Sequence, residues 1–284
     1  MKVFLPETLA SLWEIWEQNP GAEVYGGGTD LLVKLHEGRI RPPALICLER
    51  INALSQIKEE TDAVVIGAGV PHAALIRHPL IQGKFSVLVE ALKVLGSPPI
   101  RNMGTLGGNL ATASPAGDSL PALTVLDAEI VLTGPEGSRV FPIQTFITGP
   151  GQTVLQPREI ITGIRVKKTV LYTVARYEKV GKRRAMAIAV ASLAACLRLS
   201  PDGTIESARL AWGSVGPTIV TSPGIEAAMS GQSLTPKLLK ELIPAVERAV
   251  SPIDDIRATA AYRKKVAANL FLRLSGIAEG KGSA

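Results

Sequence analysis

The stretch Ile100–Asn109, Ile-Arg-Asn-Met-Gly-Thr-Leu-Gly-Gly-Asn, constrains this chain more than any other, and it is read with a second stretch, Gly-Gly-Gly-Thr-Asp at Gly26–Asp30. Each sets adjacent glycines against a hydroxyl residue and a short polar residue. Glycine takes backbone angles closed to other residues and leaves its N–H uncovered. Successive uncovered N–H groups form a concave anion site. Two such turns are expected to hold the two phosphates of a dinucleotide. Taken alone, Gly26–Gly28 is equally a tight turn after a strand. Neither ends in Gly-Lys-Ser/Thr as a P-loop does, and neither has the Gly-x-Gly-x-x-Gly spacing of a Rossmann turn. A dinucleotide held here is therefore held by another fold.

At 284 residues the chain can form one large domain or two modest ones. Hydrophobic residues make up 46% and aromatics only 4%, so the core is expected to be aliphatic. The net charge of +6 is spread along the chain, densest from Lys179 to Arg184, with no basic tail or aromatic-basic alternation pointing to nucleic acid. Cys47 and Cys196 stand far apart in apolar runs and read as buried small hydrophobes. Without Cys-x-x-Cys, an iron–sulfur cluster in this chain is not expected. His36, His72 and His78 show no metal-site spacing. No leader is recognised and no apolar run reaches membrane-spanning length, so a cytoplasmic location without membrane insertion is expected.

Thr8 caps a predicted helix that ends before Asn19-Pro20-Gly21, with Leu9, Leu12, Trp13 and Trp16 on its apolar stripe. A strand over Ala22–Tyr25 delivers the first glycine turn, and a short helix over Leu31–Leu35 follows. Strands are predicted at Ala44–Leu48 and Ala63–Ile66, the latter closing into a third turn, Gly67-Ala68-Gly69, whose role reads as structural or cofactor-related. A weak helical run follows at Ala73–Arg77. A helix over Val87–Leu95 is stopped by Gly96-Ser97-Pro98-Pro99. Asp118 or Ser119 caps a helix to about Leu126. Glu129–Leu132 and Arg139–Phe141 form a hairpin, Gly149–Gln152 a loop and Ile160–Lys167 a strand. Beyond a boundary near 168–172 come long strands, Leu171–Tyr177, Ala189–Leu199 and Glu206–Val215, with Asp202-Gly203 turning between the last two. Helices Gly224–Met229, Thr235–Val250 and Ala258–Leu274 end the chain, giving an α+β sandwich.

Gly26–Asp30 and Ile100–Asn109 resemble the two signature motifs of the flavoprotein subunit of molybdenum hydroxylases, the xanthine dehydrogenase and carbon monoxide dehydrogenase family. Gly26 stands where that family usually has Ala. Ser114-Pro115-Ala116-Gly117-Asp118 through Pro121-Ala122-Leu123 matches too, as do Tyr177-Glu178-Lys179, Arg183-Arg184-Ala185 and Tyr262-Arg263. Met186 stands where an Asp is common. The resemblance implies an α+β fold: a two-lobed PCMH-type FAD-binding domain over 1–170, with lobes of about 1–54 and 55–170, then a smaller antiparallel α+β sandwich over 171–284, like the carbon monoxide dehydrogenase flavoprotein C-terminal domain.

It also implies FAD in this chain, with cofactor contacts from Val24, Tyr25, Gly26, Gly27, Gly28, Thr29, Asp30, Leu31, Gly96, Thr105, Leu106, Gly107, Gly108, Asn109, Asp118 and Lys179. Asp30 and Asp118 read otherwise as helix caps, and Lys179 as a solvated salt bridge. No catalytic side chain and no metal ligand are singled out, because a flavin carries the redox step itself. Molybdopterin and iron–sulfur clusters are implied in a large and a small partner subunit, in a dimer of heterotrimers, with NAD, a quinone or oxygen as acceptor. A free-standing FAD-dependent oxidoreductase and a non-catalytic nucleotide-binding subunit are the alternatives.

Overall fold

A computed structural model describes residues 1–168, 172–183 and 185–278. The expected start of a strand at Leu171, part of the boundary near 168–172 and the Arg184 match lie outside the described residues. In chain order the strands are β1 (Lys2–Phe4), β2 (Glu23–Tyr25), β3 (Ala44–Cys47), β4 (Ile57–Glu59), β5 (Ala63–Gly67), β6 (Glu129–Gly134), β7 (Gly137–Pro142), β8 (Ile147–Gly149), β9 (Gln152–Thr153), β10 (Ile160–Lys167), β11 (Val174–Gly181), β12 (Ala189–Leu199), β13 (Ile205–Gly213) and β14 (Val220–Thr221). The helices are α1 (Leu9–Gln18), α2 (Leu31–His36), α3 (His72–Arg77), α4 (Pro79–Lys84), α5 (Ser86–Lys93), α6 (Pro98–Met103), α7 (Leu106–Thr112), α8 (Ser119–Val125), α9 (Ile143–Phe146), α10 (Pro223–Met229), α11 (Pro236–Ala249) and α12 (Ala260–Leu272). Among the described residues no helix is long and apolar enough to cross a membrane.

Two compact units result. The first comprises Met1–His78, Ser97–Ala113 and Asp127–Thr169, and the second Pro79–Gly96, Ser114–Leu126 and Val170–Ala284. In the first, a parallel sheet of order β1-β3-β2 is covered by α1. Thr8 and Ser11 cap that helix reciprocally, satisfying two donors that a helix start leaves open. Leu12, Ala22, Ile46, Ile51, Leu54 and Ile160 share its core. Trp13 and Trp16, on the expected apolar stripe, stack at 6.1 Å and pack partly buried against that core.

The second sheet of this unit is antiparallel, in the order β4-β5-β10-β6-β7. The expected loop at Gly149–Gln152 is instead the tip of a tiny hairpin, β8 with β9.

The second unit is built on the sheet β11-β12-β13-β14. Residues Ala189 to Leu197 of β12 are buried without interruption, because both faces of the sheet are covered. Leu193, Ala195 and Leu197 share a core with Trp212, Met229, Leu239, Val246 and Phe271, which come from β13 and α10 to α12. Helices α5 and α8 also lie against these strands. This is the expected sheet backed by helices, extended by a fourth short strand. Thr235 and Thr259 cap α11 and α12.

Candidate functional site

β2 ends at Tyr25 and delivers the first glycine run. Gly28 sits at φ +71°, a left-handed angle that favours glycine, and a Cβ there would also lie 2.8 Å from Leu32 Cδ1. The chain then enters α2. The first amide to find an acceptor is that of Leu32, which donates to Gly28 O at 3.0 Å. The amides of Gly26, Gly27, Gly28, Thr29, Asp30 and Leu31 have none among the described residues. Asp30 does not cap α2, as was expected. Its exposed carboxylate pairs with Lys34 at 2.7 Å and accepts from Thr112 Oγ1 at 3.4 Å. The phenol of Tyr25 is pushed up to about 12, first by burial and then by the neighbouring Cys47 thiol, so it stays protonated.

The second run is not a turn of uncovered amides. Ser97 and the two prolines after it start α6 rather than only stopping α5, with Ser97 Oγ accepting from Ile100 N. Thr105 then caps α7 by accepting from Gly108 N at 3.1 Å, so Gly107 and Gly108 are helical. Gly104 N donates to Ile100 O, Leu106 N to Val70 O, Gly107 N to Ala68 O and Asn109 N to Thr105 O. A Cβ on Gly107 would lie 2.5 Å from Ala68 Cβ and 2.8 Å from Ala68 O. This glycine lets α7 close onto the turn after β5, which corrects the expectation that it opens backbone to a phosphate.

The third turn is structural by the same test. The amides of Gly67, Ala68 and Gly69 all donate within the fold, and a Cβ on Gly67 would lie 2.2 Å from Leu54 O.

The two signature runs interlock within the first unit. A Cβ on Gly27 would lie 1.6 Å from Met103 O. One on Gly26 would lie 3.0 Å from Thr105 Oγ1, and one on Gly104 would lie 3.3 Å from both Thr29 Oγ1 and His72 Cδ2. Glycine at these positions lets the second run back the first, whose amides stay free. His72 was not among the expected site residues. It is 2% exposed, its Nδ1 is buried without a partner among the described residues, and burial, then the charge of Arg101, lowers its pKa to about 4. No sequence signal marks it, because Gly104 reaches it only through the fold.

Gly96, Asp118 and Lys179 belong to the second unit. Gly96 takes φ +53° just beyond α5. Asp118 stands at the start of α8 without capping it, which corrects the expected cap. Its Oδ2 accepts from Lys179 Nζ at 2.6 Å and its Oδ1 from Tyr177 Oη at 2.8 Å. Lys179 also donates to Val94 O at 2.8 Å. Both side chains of the ion pair are 8% exposed, so Lys179 is not in a solvated salt bridge. Burial raises the Asp118 pKa, while the charge of Lys179 pulls against the rise. Tyr177 is shifted well above its ordinary value, first by burial and then by the charge of Asp118. Glu90 of α5 ties down the same strand, accepting from Tyr177 N at 2.8 Å.

No group of three or more His, Cys, Asp and Glu side chains able to hold a metal ion occurs among the described residues. Residues 1–168 match the family described as FAD binding domain in molybdopterin dehydrogenase, and residues 176–276 match the CO dehydrogenase flavoprotein C-terminal domain. The carbon monoxide dehydrogenase medium chain of Hydrogenophaga pseudoflava is 33% identical over 253 residues, covering 89% of this chain and 87% of that one. The nicotinate dehydrogenase FAD-subunit of Eubacterium barkeri is 28% identical, covering 95% and 93%. A solved carbon monoxide dehydrogenase from Hydrogenophaga pseudoflava superposes with a TM-score of 0.92 at 30% identity, over 100% of this chain and 98% of that one.

Proposed function

The chain belongs to the family of FAD-binding medium subunits of molybdopterin-dependent dehydrogenases and hydroxylases, and from that membership we propose that it passes electrons from iron–sulfur clusters to an external acceptor. It has the two-domain α+β fold of that family, PCMH-type FAD-binding domain first, and is the FAD-binding subunit of such a complex. In this proposal molybdopterin and the clusters reside in a large and a small partner subunit, assembled as a dimer of heterotrimers. NAD, a quinone or oxygen takes the electrons. The domain division at about residue 170 belongs to the same proposal.

The observation that carries the reading is the run of amides from Gly26 to Leu31, which have no acceptor among the described residues. An FAD pyrophosphate supplies several anionic oxygens and no donors, so these residues fit it. In this reading Val24 and Tyr25 end the strand that aims the turn, the amides of Gly26 to Leu31 donate to the pyrophosphate, and Thr29 adds a hydroxyl. Thr105, Leu106, Gly107, Gly108 and Asn109 act from behind by fixing the turn's backbone. A carboxylate oxygen accepts two hydrogen bonds, so Asp118 retains capacity for a ribityl or ribose hydroxyl beside its bonds to Lys179 and Tyr177. Lys179 contributes positive charge and Gly96 its left-handed backbone. Bound flavin supplies one- and two-electron redox chemistry.

Purification of the tagged chain from its native host, with flavin, molybdenum and iron analysis, tests the proposal. Co-purification with two partners, molybdenum, iron and FAD is the expected result. A monomer containing FAD but neither metal, and turning over an organic substrate, would overturn it in favour of a free-standing oxidoreductase.

A further inference from the structure

We propose that His72 is an additional pyrophosphate ligand, donating a hydrogen bond from Nε2 at the edge of the first glycine run; the proposal rests on the reading of that run given above. His72 opens α3 and is fixed by its own backbone. Its N–H donates to Gly104 O at 3.0 Å, and Pro71 before it bridges to Thr105. Its side chain is almost wholly buried.

The ring and the Thr29 hydroxyl both approach Gly104. His72 Cδ2 and Thr29 Oγ1 each lie 3.3 Å from the point that a Cβ on Gly104 would occupy. Nε2 is the ring neighbour of Cδ2, so it lies on that same edge. On the opposite edge Nδ1 is buried with no partner.

That orphan decides where the proton sits. With a pKa of about 4, lowered by burial and by Arg101, the imidazole is neutral at neutral pH and carries one N–H. A buried donor left without an acceptor costs its full desolvation, and among the described residues Nδ1 is sealed without a partner whereas Nε2 is not. The proton therefore belongs on Nε2, the nitrogen bonded to the Cδ2 that approaches Gly104, and Nδ1 is left as a bare acceptor. The niche then gathers donors: the imidazole N–H, the Thr29 hydroxyl and the free amides of the run. The one carboxylate in the run, Asp30, is engaged with Lys34 and Thr112. A cluster made of donors suits an anion with several oxygens, not a cation or an amide.

The test uses the full chain with FAD, ADP and inorganic phosphate as probes. ADP carries the pyrophosphate without the flavin. His72→Phe keeps a ring but no donor, and a hydrogen bond to a charged group is worth about tenfold or more in affinity. The dissociation constants of FAD and ADP are expected to rise together by roughly tenfold, with the melting temperature little changed. His72→Gln, whose amide nitrogen can reach the Nε2 position, is expected to recover most of that loss. Equal dissociation constants for a folded His72→Phe variant and the parent chain would overturn the proposal.

Should His72→Phe fail to fold, nitrogen-15 spectra of the histidines in the parent chain decide. Loss of one set of signals in the His72→Gln variant identifies His72 among His36, His72 and His78. A protonated Nε2 that shifts on adding ADP supports the contact, and an Nε2 that does not respond to saturating ADP or FAD refutes it. A response to inorganic phosphate at the same concentration as ADP would refute it as well, by marking a general anion site. If the parent chain binds neither FAD nor ADP, the reading of the glycine run falls and takes this proposal with it. Binding without a histidine response removes this proposal alone.

Discussion

At the first glycine run the amides of Gly26 to Leu31 have no acceptor among the described residues, whereas at the second Gly104, Leu106, Gly107, Gly108 and Asn109 all donate within the fold. The residues are nearly the same: paired glycines, a threonine and a short polar side chain. What differs is where each N–H and each missing Cβ points. In the second run both point at protein, so glycine serves close packing. In the first, the Cβ positions of Gly26 and Gly27 face the second run while the amides stay free. The acids associated with the two runs differ likewise. Asp30 is exposed and pairs along its own helix, and Asp118 is buried and closed by Tyr177 and Lys179. A glycine-rich signature thus marks close backbone approach, and the hydrogen-bond ledger decides whether the approaching group is protein or ligand.

The strongest way to break this comparison is to fill the space between the runs. Gly27→Ala sets a methyl 1.6 Å from Met103 O and 2.4 Å from its carbonyl carbon. Both are backbone atoms of α6 and cannot swing aside. The expected loss is at or above about 3 kcal/mol, the upper end of ordinary overpacking costs. Gly107→Ala meets Ala68 and is expected to lose somewhat less. Urea midpoints measure both. A Gly27→Ala protein with an unchanged midpoint would show that the runs do not meet as described.

Removing a partner of the buried acid comes next. Lys179→Met leaves Asp118 buried with only the Tyr177 hydroxyl, and breaking such a pair costs about 3–5 kcal/mol. The pH dependence follows in sign. Burial already raises the folded-state pKa of Asp118, and Lys179 opposes the rise. Without Lys179 the folded pKa climbs further, so the folded state binds the proton more tightly than the unfolded state does. The variant is then least impaired at pH values below the unfolded carboxylate pKa of about 4 and loses stability as the pH rises through the folded pKa. Asp30→Ala, by contrast, is expected to cost at most about 0.5 kcal/mol, because its partner Lys34 is solvated. Midpoints measured from pH 4 to 8 test the slope; a flat profile for Lys179→Met would contradict the burial of Asp118.

Thr105→Val sharpens the comparison without adding bulk. It deletes the acceptor of the Gly108 amide, at a cost of about 1 kcal/mol. The second run would then gain a free donor beside the Thr105 amide, which has no acceptor among the described residues. Hydrogen exchange at Gly108 is expected to accelerate, with that at Gly107 changing less, since Gly107 donates to Ala68 O.

Local signals carried much of the fold. Thr8 caps the first helix as its position suggests, and the strand ending at Tyr25 leads into the first run as its pattern suggests, whereas the last helix starts two residues later than expected, behind a Thr259 cap. The start of α6 was legible and overlooked. Ser-Pro-Pro reads as a stop for α5, but proline in a first helical turn behind a serine cap is equally a start. The destination of the second run's amides was not legible, because Val70 and Ala68 accept from Leu106 and Gly107 across a long stretch of sequence. Nor were the partners of Asp118, which arrive from a strand 59 and 61 residues further on. Burial of an acid beside a lysine is a property of packing, and the spacing of Tyr177 and Lys179 gives only their common face of β11.

The smallest effect is expected at Gly26, the position where the resembling family usually carries Ala. A Cβ there would lie 3.0 Å from Thr105 Oγ1, tight but against a side chain rather than backbone, and Gly26 does not need a left-handed angle. Replacing a glycine that has ordinary angles stabilises by about 0.4–1 kcal/mol through the unfolded chain. The hydroxyl gives way poorly, since it is held by Gly108 N at 3.1 Å. The two terms oppose each other, and Gly26→Ala is expected to fall within about 1 kcal/mol of the parent, with the amide still present and FAD affinity unchanged. A double-mutant cycle separates the terms. In a Thr105→Ser background the side chain lacks the methyl and can shift slightly while keeping its bond from Gly108 N, so Gly26→Ala should be less costly than in the parent. Coupling of a few tenths of a kcal/mol, favouring the double variant, would place Thr105 against Gly26 as the geometry has it. Additivity would mean that the two runs stand further apart, and that the free amides of the first are held by its own backbone rather than by the second run behind it.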